Sequence, residues 1–158
     1  MKPKEILVFG ATGNIGRNLI RKLTKNNYKV VAVTRNIHQK GIKLKTQANP
    51  GYLELVELEN LNKEKIKDLF KSCSVCINLI GILYEKNKGQ FVNIHTNLPN
   101  ILSKIAKEKK IDQFIHVSAL GVENALDSIY AKSKLDGETT VKKNFKNSLI
   151  LKPSIVYG

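Results

Sequence analysis

Three glycines spaced three residues apart, directly after an apolar run near the start of the chain, constrain its fold most strongly. The run Ile6 to Phe9 predicts a buried parallel strand, and Gly10, Gly13 and Gly16 follow it. The first glycine permits a sharp turn because it has no Cβ atom. The second lets a ligand approach the backbone, and the third lets the next helix pack closely on the strand. The sequence therefore predicts a strand, a tight loop and a helix whose first turn has free N–H groups and a positive dipole end.

The predicted loop suits the pyrophosphate of a dinucleotide. Its spacing is G-x-x-G-x-x-G rather than the common G-x-G-x-x-G, but it lies where such a site requires it, after a first strand and before a helix. An ordinary glycine-rich turn is the alternative. We expect NAD(P) binding, with contacts from Gly10, Thr12, Gly13, Asn14, Ile15 and Gly16.

The end of the second predicted strand bears on which nucleotide is bound. Val30 to Val33 predicts that strand, and Thr34-Arg35-Asn36 follows it. An NAD-selective site usually has Asp or Glu here for the ribose 2′-hydroxyl. This chain has instead a guanidinium, which can pair with a 2′-phosphate. We therefore expect NADP(H) to be favoured over NAD(H), and a solvated loop arginine is the alternative interpretation of Arg35.

Strands and helices alternate along the rest of the chain. The first helix should turn one face inward, with Ile15, Leu19, Ile20 and Leu23. Beyond it we expect a polar loop at 36–51, strands at 53–58, 75–80, 114–117 and 149–151, and helices at 63–71 (capped by Asn62), about 91–109 (interrupted by Pro99) and 128–143. This order predicts an α/β fold: a Rossmann-like, doubly wound parallel sheet with helices on both faces, in one NAD(P)-binding domain over residues 1–158.

The charge and composition of the chain indicate which classes of binding partner are favoured. The 158 residues carry a net charge of +14, almost all of it from scattered lysines, since only Arg17, Arg21 and Arg35 are arginines. Nucleic-acid sites more often cluster arginine with aromatic platforms, so an anionic membrane surface or an acidic partner is favoured. The sequence shows no apolar run of about 20 residues and no signal peptide, from which we expect a cytoplasmic protein, with a position peripheral to the inner membrane as an alternative.

Two cysteines form a C-x-x-C at Cys73 and Cys76. A redox pair and half of a zinc site are the functional interpretations. A second pair of ligands is missing, and Cys76 lies inside an apolar run, so we expect two cysteines packed in a strand and no metal.

A second group of chemically useful residues lies in the C-terminal half. Ser118 ends the fifth predicted strand, and Tyr130 and Lys134 lie four residues apart on one helix face. A lysine ammonium beside a phenol lowers the tyrosine pKa, which lets that tyrosine serve as general acid or base. A serine hydroxyl beside it can donate a hydrogen bond to a substrate carbonyl. A surface pair on a helix is the alternative.

With the glycine loop, these residues make the chain resemble the nucleotide-binding part of the short-chain dehydrogenase/reductase superfamily, of the extended or atypical type. The resemblance implies that Tyr130 is the acid/base, that Ser118 orients the substrate and that Lys134 holds the nicotinamide ribose. Asn93 matches a helix asparagine of the superfamily, and residues 153–158 resemble its R-P-x-x-V-Y-G stretch, with Lys152 in the arginine position. We expect further cofactor contacts from Arg35, Leu58, Leu79, Ile80, Gly81, Val117, Tyr130, Lys134, Pro153, Ile155 and Val156.

A closer similarity involves residues 77–81, residues 114–121 and the helix of Tyr130. These segments are similar to the family of NADPH-binding accessory subunits of mitochondrial complex I, of the alpha subcomplex subunit 9 type, and its bacterial relatives. That similarity implies bound NADPH in a structural role and an accessory or assembly function in a respiratory complex. The alternatives are an active NADP-dependent reductase, epimerase or dehydratase on a small carbonyl or sugar-like substrate, and a redox sensor, so whether the chain is an enzyme stays open.

Two expectations about size and assembly come from the same resemblance. Extended members of the superfamily continue well past the V-Y-G stretch at which this chain stops, so we expect a truncated C-terminal part that lacks the last strand and helix. The oligomeric state stays open, and a homodimer through a pair of exposed helices is the option that the resemblance implies.

Overall fold

The chain folds into alternating strands and helices. The computed structural model describes residues 5–60 and 62–157. Within these residues the six strands are β1 Glu5–Phe9, β2 Val30–Thr34, β3 Leu53–Glu57, β4 Cys73–Asn78, β5 Gln113–Val117 and β6 Leu149–Leu151. The α-helices of the same part of the chain are α1 Asn14–Lys25, α2 Ile42–Lys45, α3 Lys63–Leu69, α4 Leu98–Glu108 and α5 Ile129–Asn144. Shorter helical segments are the π-helical Ile37–Gly41 and Val92–Asn97 and the 3₁₀ turn Val122–Asn124.

The strand order is β3-β2-β1-β4-β5-β6, which confirms the predicted Rossmann-like sheet. β1 pairs in parallel with β2 and with β4, and β2 pairs in parallel with β3. β5 and β6 are also parallel, with Ile115 opposite Leu149. Ile6, Leu7, Val8 and Phe9 of β1 are all buried, as expected for a strand with neighbours on both sides.

Two compact units make up the chain, the first extending to Leu79 and the second beginning at Ile80. The first contains β1 to β4 with α1 to α3, and the second contains β5 and β6 with α4 and α5.

The buried face of α1 differs from the predicted one. Gly16, Ile20 and Thr24 are buried, whereas Ile15 is exposed and Leu19 and Leu23 are only half-buried. Because Gly16 packs against the backbone of the preceding loop, the helix face that contains positions 16, 20 and 24 is the one that turns inward. Thr24 satisfies its buried hydroxyl by donating to the carbonyl of Ile20 at 2.9 Å.

The segment 36–51 is not the polar loop that we expected, since it contains the π-helical turn Ile37–Gly41 and α2. The Asn36 side chain accepts a hydrogen bond from the Gln39 N–H at 2.9 Å and so caps the turn. The side chain of Leu44 is fully buried and packs α2 into the core of the first unit. The two apolar residues of α2, Ile42 and Leu44, are two positions apart and only Leu44 is buried, so they give no helical periodicity from which to predict this helix.

β4 begins and ends two residues before the predicted 75–80, because it pairs from Cys73 to Asn78 along β1. Cys73 is the first residue of β4 and is half-buried, and Cys76 lies within β4 and is buried, which confirms that they are packed in a strand; both are free. Burial raises the pKa of the Cys73 thiol to about 12 and raises that of Cys76 as well, so both thiols are protonated and unreactive at neutral pH.

The predicted helix starts and breaks are confirmed at three places. Asn62 caps α3, its side chain accepting from the N–H groups of Glu64 and Lys65. Pro99 lies in the first turn of α4, directly after the π-helical Val92–Asn97, so the long helix is divided where the proline predicted. Ser128 caps α5 by accepting from the Ala131 N–H at 3.3 Å.

Candidate functional site

The glycine loop of the first unit connects β1 to α1 in a tight turn. Gly10 has a φ of +80°, a left-handed conformation that glycine adopts without strain. The Gly13 N–H donates to the Gly10 carbonyl at 3.1 Å, and the Arg17 N–H donates to the Gly13 carbonyl at 3.0 Å as the first bond of α1. The chain therefore turns from strand to helix within four residues.

The other two glycines of the loop have different roles. A Cβ on Gly16 would collide with the Gly10 carbonyl oxygen and would stand 2.6 Å from the Ala11 carbonyl oxygen, so this glycine permits the close packing of helix on loop. Gly13 is exposed, and a Cβ there would stand 3.3 Å from the Gly10 carbonyl oxygen. Its backbone, at φ −73° and ψ 175°, is one that any residue adopts. A side chain at Gly13 would therefore be free of backbone strain but would make a tight contact with the loop backbone.

The N-terminus of α1 is open to an anion. Gly13 is the N-cap residue, no side chain caps the helix, and its first turn contains no acidic residue. Since the first intrahelical bond is the one donated by Arg17, the preceding N–H groups at positions 14–16 have no partner within the helix. Their partial positive charge and the dipole of a 12-residue helix favour a negative group at this end.

Arg35 is exposed at the end of β2. The neighbouring residues are fixed by local bonds: the Thr34 hydroxyl lies 3.3 Å from both the N–H and the carbonyl oxygen of Asn36. The carboxylate of Glu57, at the end of β3, accepts from the Ile37 N–H at 2.6 Å. The nearby carboxylate is thus used to hold the turn after β2.

In the second unit, Ser118 follows β5 and is almost completely buried. Its N–H donates to the Leu151 carbonyl at 2.8 Å, which fixes its backbone beside β6. Within the part of the chain that the structure describes, its hydroxyl oxygen has no hydrogen-bond partner. A buried hydroxyl without a partner is costly, so it is suited to bond a ligand.

Lys134 of α5 is also buried, at 5% exposed. Its ammonium donates to the Val117 carbonyl at 3.3 Å, and a Cβ placed on Gly81 would stand 3.2 Å from it. Burial lowers the pKa of Lys134 to about 8, and the Glu138 carboxylate one helical turn later partly offsets this effect. The ammonium therefore faces the segment that follows β4.

Tyr130 differs from the prediction in its electrostatics. It is half-buried, and its ring meets those of Phe91 and His95 edge-on, at centroid distances of 5.6 and 5.4 Å. Burial raises the pKa of its phenol, so the expected decrease caused by Lys134 is wrong. The physical reason is that the Lys134 ammonium is directed at the Val117 carbonyl, which leaves burial as the dominant influence on Tyr130.

The remaining predicted site residues differ in exposure. Asn93 lies on the π-helical segment, is exposed, and accepts from the side chain of Asn97 at 3.0 Å. Buried positions are Leu58 and Val117, half-buried ones are Gly10, Thr12, Asn14, Leu79, Ile80 and Pro153, and exposed ones are Ile15, Gly81, Ile155 and Val156.

The sequence-based prediction assigned no site role to His95 or Glu138. His95 is 1% exposed and lies at the centre of a hydrogen-bonded group. Glu138 is buried and pairs with the ammonium of Lys152 at 3.0 Å, and Lys152 also reaches Glu123 at 3.3 Å. The sequence pattern that could have indicated a role for Glu138 is its spacing from Lys134, since the two residues are four positions apart and share a helix face.

Residues 5–60 and 62–157 contain neither a membrane-spanning helix nor a metal-binding cluster. No helix there is long and apolar enough to span a membrane. No cluster of three or more His, Cys, Asp or Glu side chains in the same ranges is arranged to hold a metal ion.

Comparisons with known proteins agree with this fold. The chain is 30% identical over 151 residues to the alpha subcomplex subunit 9 of mitochondrial NADH dehydrogenase [ubiquinone] 1 from Mus musculus, covering 96% of this chain and 40% of that protein. It thus spans about 40% of the length of the curated relatives that it matches.

Solved structures show the same architecture. A putative NAD-dependent epimerase/dehydratase from Bacillus halodurans superposes with a TM-score of 0.82 at 20% identity, over 98% of this chain and 72% of that one, which shows a shared fold. The UDP-glucuronic acid 4-epimerase of Bacillus cereus, solved in complex with NAD, superposes with a TM-score of 0.78 at 25% identity, over 98% of this chain and 57% of that one. The resemblance to extended short-chain dehydrogenases is confirmed. The sequence model of the NmrA-like family matches residues 2–156, which shows that the chain belongs to that family.

Proposed function

We propose that this chain binds a nicotinamide dinucleotide at its glycine loop, within a nucleotide-binding domain over residues 1–158. The observation that carries the proposal is the geometry of β1, the loop and α1. Gly10 makes the turn, Gly16 brings the helix close, and Gly13 leaves an open approach to an uncapped helix N-terminus. These features fit a pyrophosphate, whose negative charge the N–H groups and the helix dipole would stabilise.

The nucleotide that we favour is NADP(H). Arg35 is exposed where a 2′-phosphate would need a cation, and the nearby Glu57 carboxylate is bonded to the Ile37 N–H. A guanidinium–phosphate pair is a charge-assisted bond worth about 1.5–3 kcal/mol, so Arg35→Ala should weaken NADPH binding about 10- to 150-fold. Binding of NADH should change little. Arg21→Ala, an exposed arginine on α1, is the matched control, and equal losses for both nucleotides would contradict the preference.

The role that we propose is that of an accessory or assembly subunit of a respiratory complex of the complex I type. The similarity to the alpha subcomplex subunit 9 supports it, as does the net charge of +14, which suits an anionic membrane surface or an acidic partner. We expect a peripheral position at the inner membrane. Co-purification with a membrane complex under mild detergent tests the role, and its absence at low ionic strength would contradict it. Light scattering tests the homodimer that the resemblance implies.

A second candidate is a working reductase, epimerase or dehydratase. It is favoured by the buried Ser118 hydroxyl that has no partner in the described part of the chain, and by the Lys134 ammonium, whose pKa burial lowers to about 8. In this function Ser118 orients a substrate carbonyl and Tyr130 donates or accepts the proton, while a bound nicotinamide supplies hydride chemistry.

Tyr130→Phe separates the two functions. As an accessory subunit, the variant keeps nucleotide binding and association with the complex. As an enzyme, it loses turnover of a small carbonyl or sugar-like substrate with NADPH, typically by about 10²–10⁴-fold for a lost acid/base group. Unchanged turnover in the variant rules out the enzymatic function of this tyrosine.

A further inference from the structure

His95 lies where three segments of the second unit meet. Its Nδ1 is 2.9 Å from the Ser133 hydroxyl oxygen on α5, and its Nε2 accepts from the Ile82 N–H at 3.1 Å. The ring stacks on Phe91 at a centroid distance of 5.3 Å and meets Tyr130 edge-on at 5.4 Å. One buried imidazole thus contacts the segment after Gly81, its own π-helical segment and the helix of Tyr130.

The hydrogen bonds around the ring define its tautomer. The Ser133 hydroxyl donates its single proton to the Tyr130 carbonyl at 2.7 Å, so towards His95 it can only accept. Nδ1 must therefore hold a proton. Nε2 faces the N–H of Ile82 and must present a lone pair. Both bonds are satisfied together only by the neutral ring with its proton on Nδ1.

Charge and packing keep the ring in this state. The titratable or charged groups that face it are Lys134 and Tyr130 of α5 and His116 of β5. Burial and the Lys134 ammonium lower the pKa of His95 to about 4, so the ring is neutral at neutral pH. The backbone at His95 is held as well, because a Cβ on Gly137 would collide with its carbonyl oxygen. The hydroxyl of Thr96 also donates to the Ser133 carbonyl, at 3.0 Å.

We propose that His95 is a positioning residue, which as the neutral Nδ1–H tautomer fixes the turn at Gly81–Ile82 and the ring of Tyr130. The proposal rests on the second candidate function, in which Tyr130 is the acid/base, and on the nucleotide contact that the sequence predicts for Gly81. Because its ring is buried and both ring nitrogens are bonded within the chain, we assign His95 no direct contact with a ligand. Its effect is to hold two parts of the candidate site at fixed places through bonds to opposite edges of one ring.

Two variants dissect the ring. In His95→Asn the side-chain N–H₂ replaces Nδ1 and keeps the bond to Ser133, but nothing reaches Ile82. In His95→Gln the amide oxygen replaces Nε2 and keeps the acceptor for Ile82, but the bond to Ser133 is lost. His38→Gln, at an exposed histidine in the first unit, is the matched control.

Imidazole ¹⁵N NMR of the unmodified chain at neutral pH tests the tautomer directly. We expect a neutral ring with the proton on Nδ1, and a proton on Nε2 or a cationic ring would overturn the proposal. Hydrogen exchange then tests the turn: loss of one bond worth about 1 kcal/mol should speed exchange of the Ile82 amide about fivefold or more in His95→Asn. His95→Gln and the control should exchange near the wild-type rate, and equal rates in all variants would overturn it too.

Binding of NADPH separates this proposal from the proposed function. If the unmodified chain binds neither NADPH nor NADH, the proposed function fails, and the tautomer and exchange measurements still decide the role of His95. If it binds NADPH, His95→Asn should weaken binding about fivefold or more through the loosened turn, while the control keeps the wild-type affinity. Wild-type affinity in His95→Asn would overturn the positioning role.

Discussion

Substitution of Gly16 by alanine tests why the third glycine is present. Inside a helix alanine is favoured over glycine by about 0.8–1.0 kcal/mol, so propensity alone predicts a more stable chain. In this structure the new Cβ would stand 2.6 Å from the Ala11 carbonyl oxygen and 2.7 Å from the Ala11 carbonyl carbon, and it would collide with the Gly10 carbonyl oxygen. Steric and propensity effects therefore have opposite signs.

The steric effect should win. The atoms that the Cβ would meet belong to the backbone of a tight turn, so no change of rotamer relieves the contact and α1 must move away from the loop. Overpacking of this kind costs about 1–3 kcal/mol, so after the gain in propensity we expect a net loss of about 1 kcal/mol in the free energy of unfolding, within a range of about 0–2 kcal/mol. For a chain of this size a loss of about 1 kcal/mol corresponds to a decrease in Tm of about 2–4 °C.

The assay is urea denaturation of the wild type, of Gly16→Ala and of Lys22→Ala, an exposed position on the same helix. Lys22→Ala should remain within about 0.5 kcal/mol of the wild type. A Gly16→Ala variant as stable as the wild type, or more so, would refute the packing argument and return Gly16 to the status of an ordinary helix glycine.

Two further perturbations follow from the structure. Asn62→Ala removes the side chain that accepts from the N–H groups of Glu64 and Lys65, and loss of such a cap should lower the free energy of unfolding by about 1 kcal/mol, as measured in urea. Acidification should also destabilise the chain. Burial and the Lys134 ammonium lower the pKa of His95 to about 4 and that of His116 to about 3, whereas the ordinary pKa of 6.5 applies in the unfolded chain. Below pH 6.5 the unfolded chain therefore binds more protons than the folded chain. The free energy of unfolding should fall as the pH decreases from about 6.5 towards 4, and a flat profile in that range would contradict this expectation.

The glycine loop was predictable because glycine reports backbone requirements directly. The turn at Gly10 needs a positive φ, and Gly16 has no room for a Cβ, so the sequence had to place glycine at both. β1 and β2 were predictable for a similar reason, since a parallel strand with neighbours on both sides is a continuous apolar run. The bounds of β4 were less so, because they depend on its pairing with β1 rather than on its own composition.

Features that join distant parts of the sequence were not predictable in the same way. The turn after Arg35 depends on the Glu57 carboxylate 20 residues further along the chain. The role of His95 depends on Ser133, 38 residues away, so no local pattern contains it. Helix spacing correctly placed Tyr130 and Lys134 on one helix, yet it could not show that the ammonium is bonded to the Val117 carbonyl.

The central claim is that the glycine loop binds a nicotinamide dinucleotide, and thermal-shift titration of the wild type and Gly13→Val tests it most directly. The φ and ψ of Gly13 are ones that valine adopts, but the new Cβ would stand 3.3 Å from the Gly10 carbonyl oxygen, so urea denaturation first establishes that the variant is folded. NADPH at about 100 times its Kd should stabilise the wild type by about 2.7 kcal/mol, a rise in Tm of about 5–11 °C, and should leave Gly13→Val unchanged. Absence of stabilisation by either NADPH or NADH, or equal stabilisation of the variant, would contradict the account.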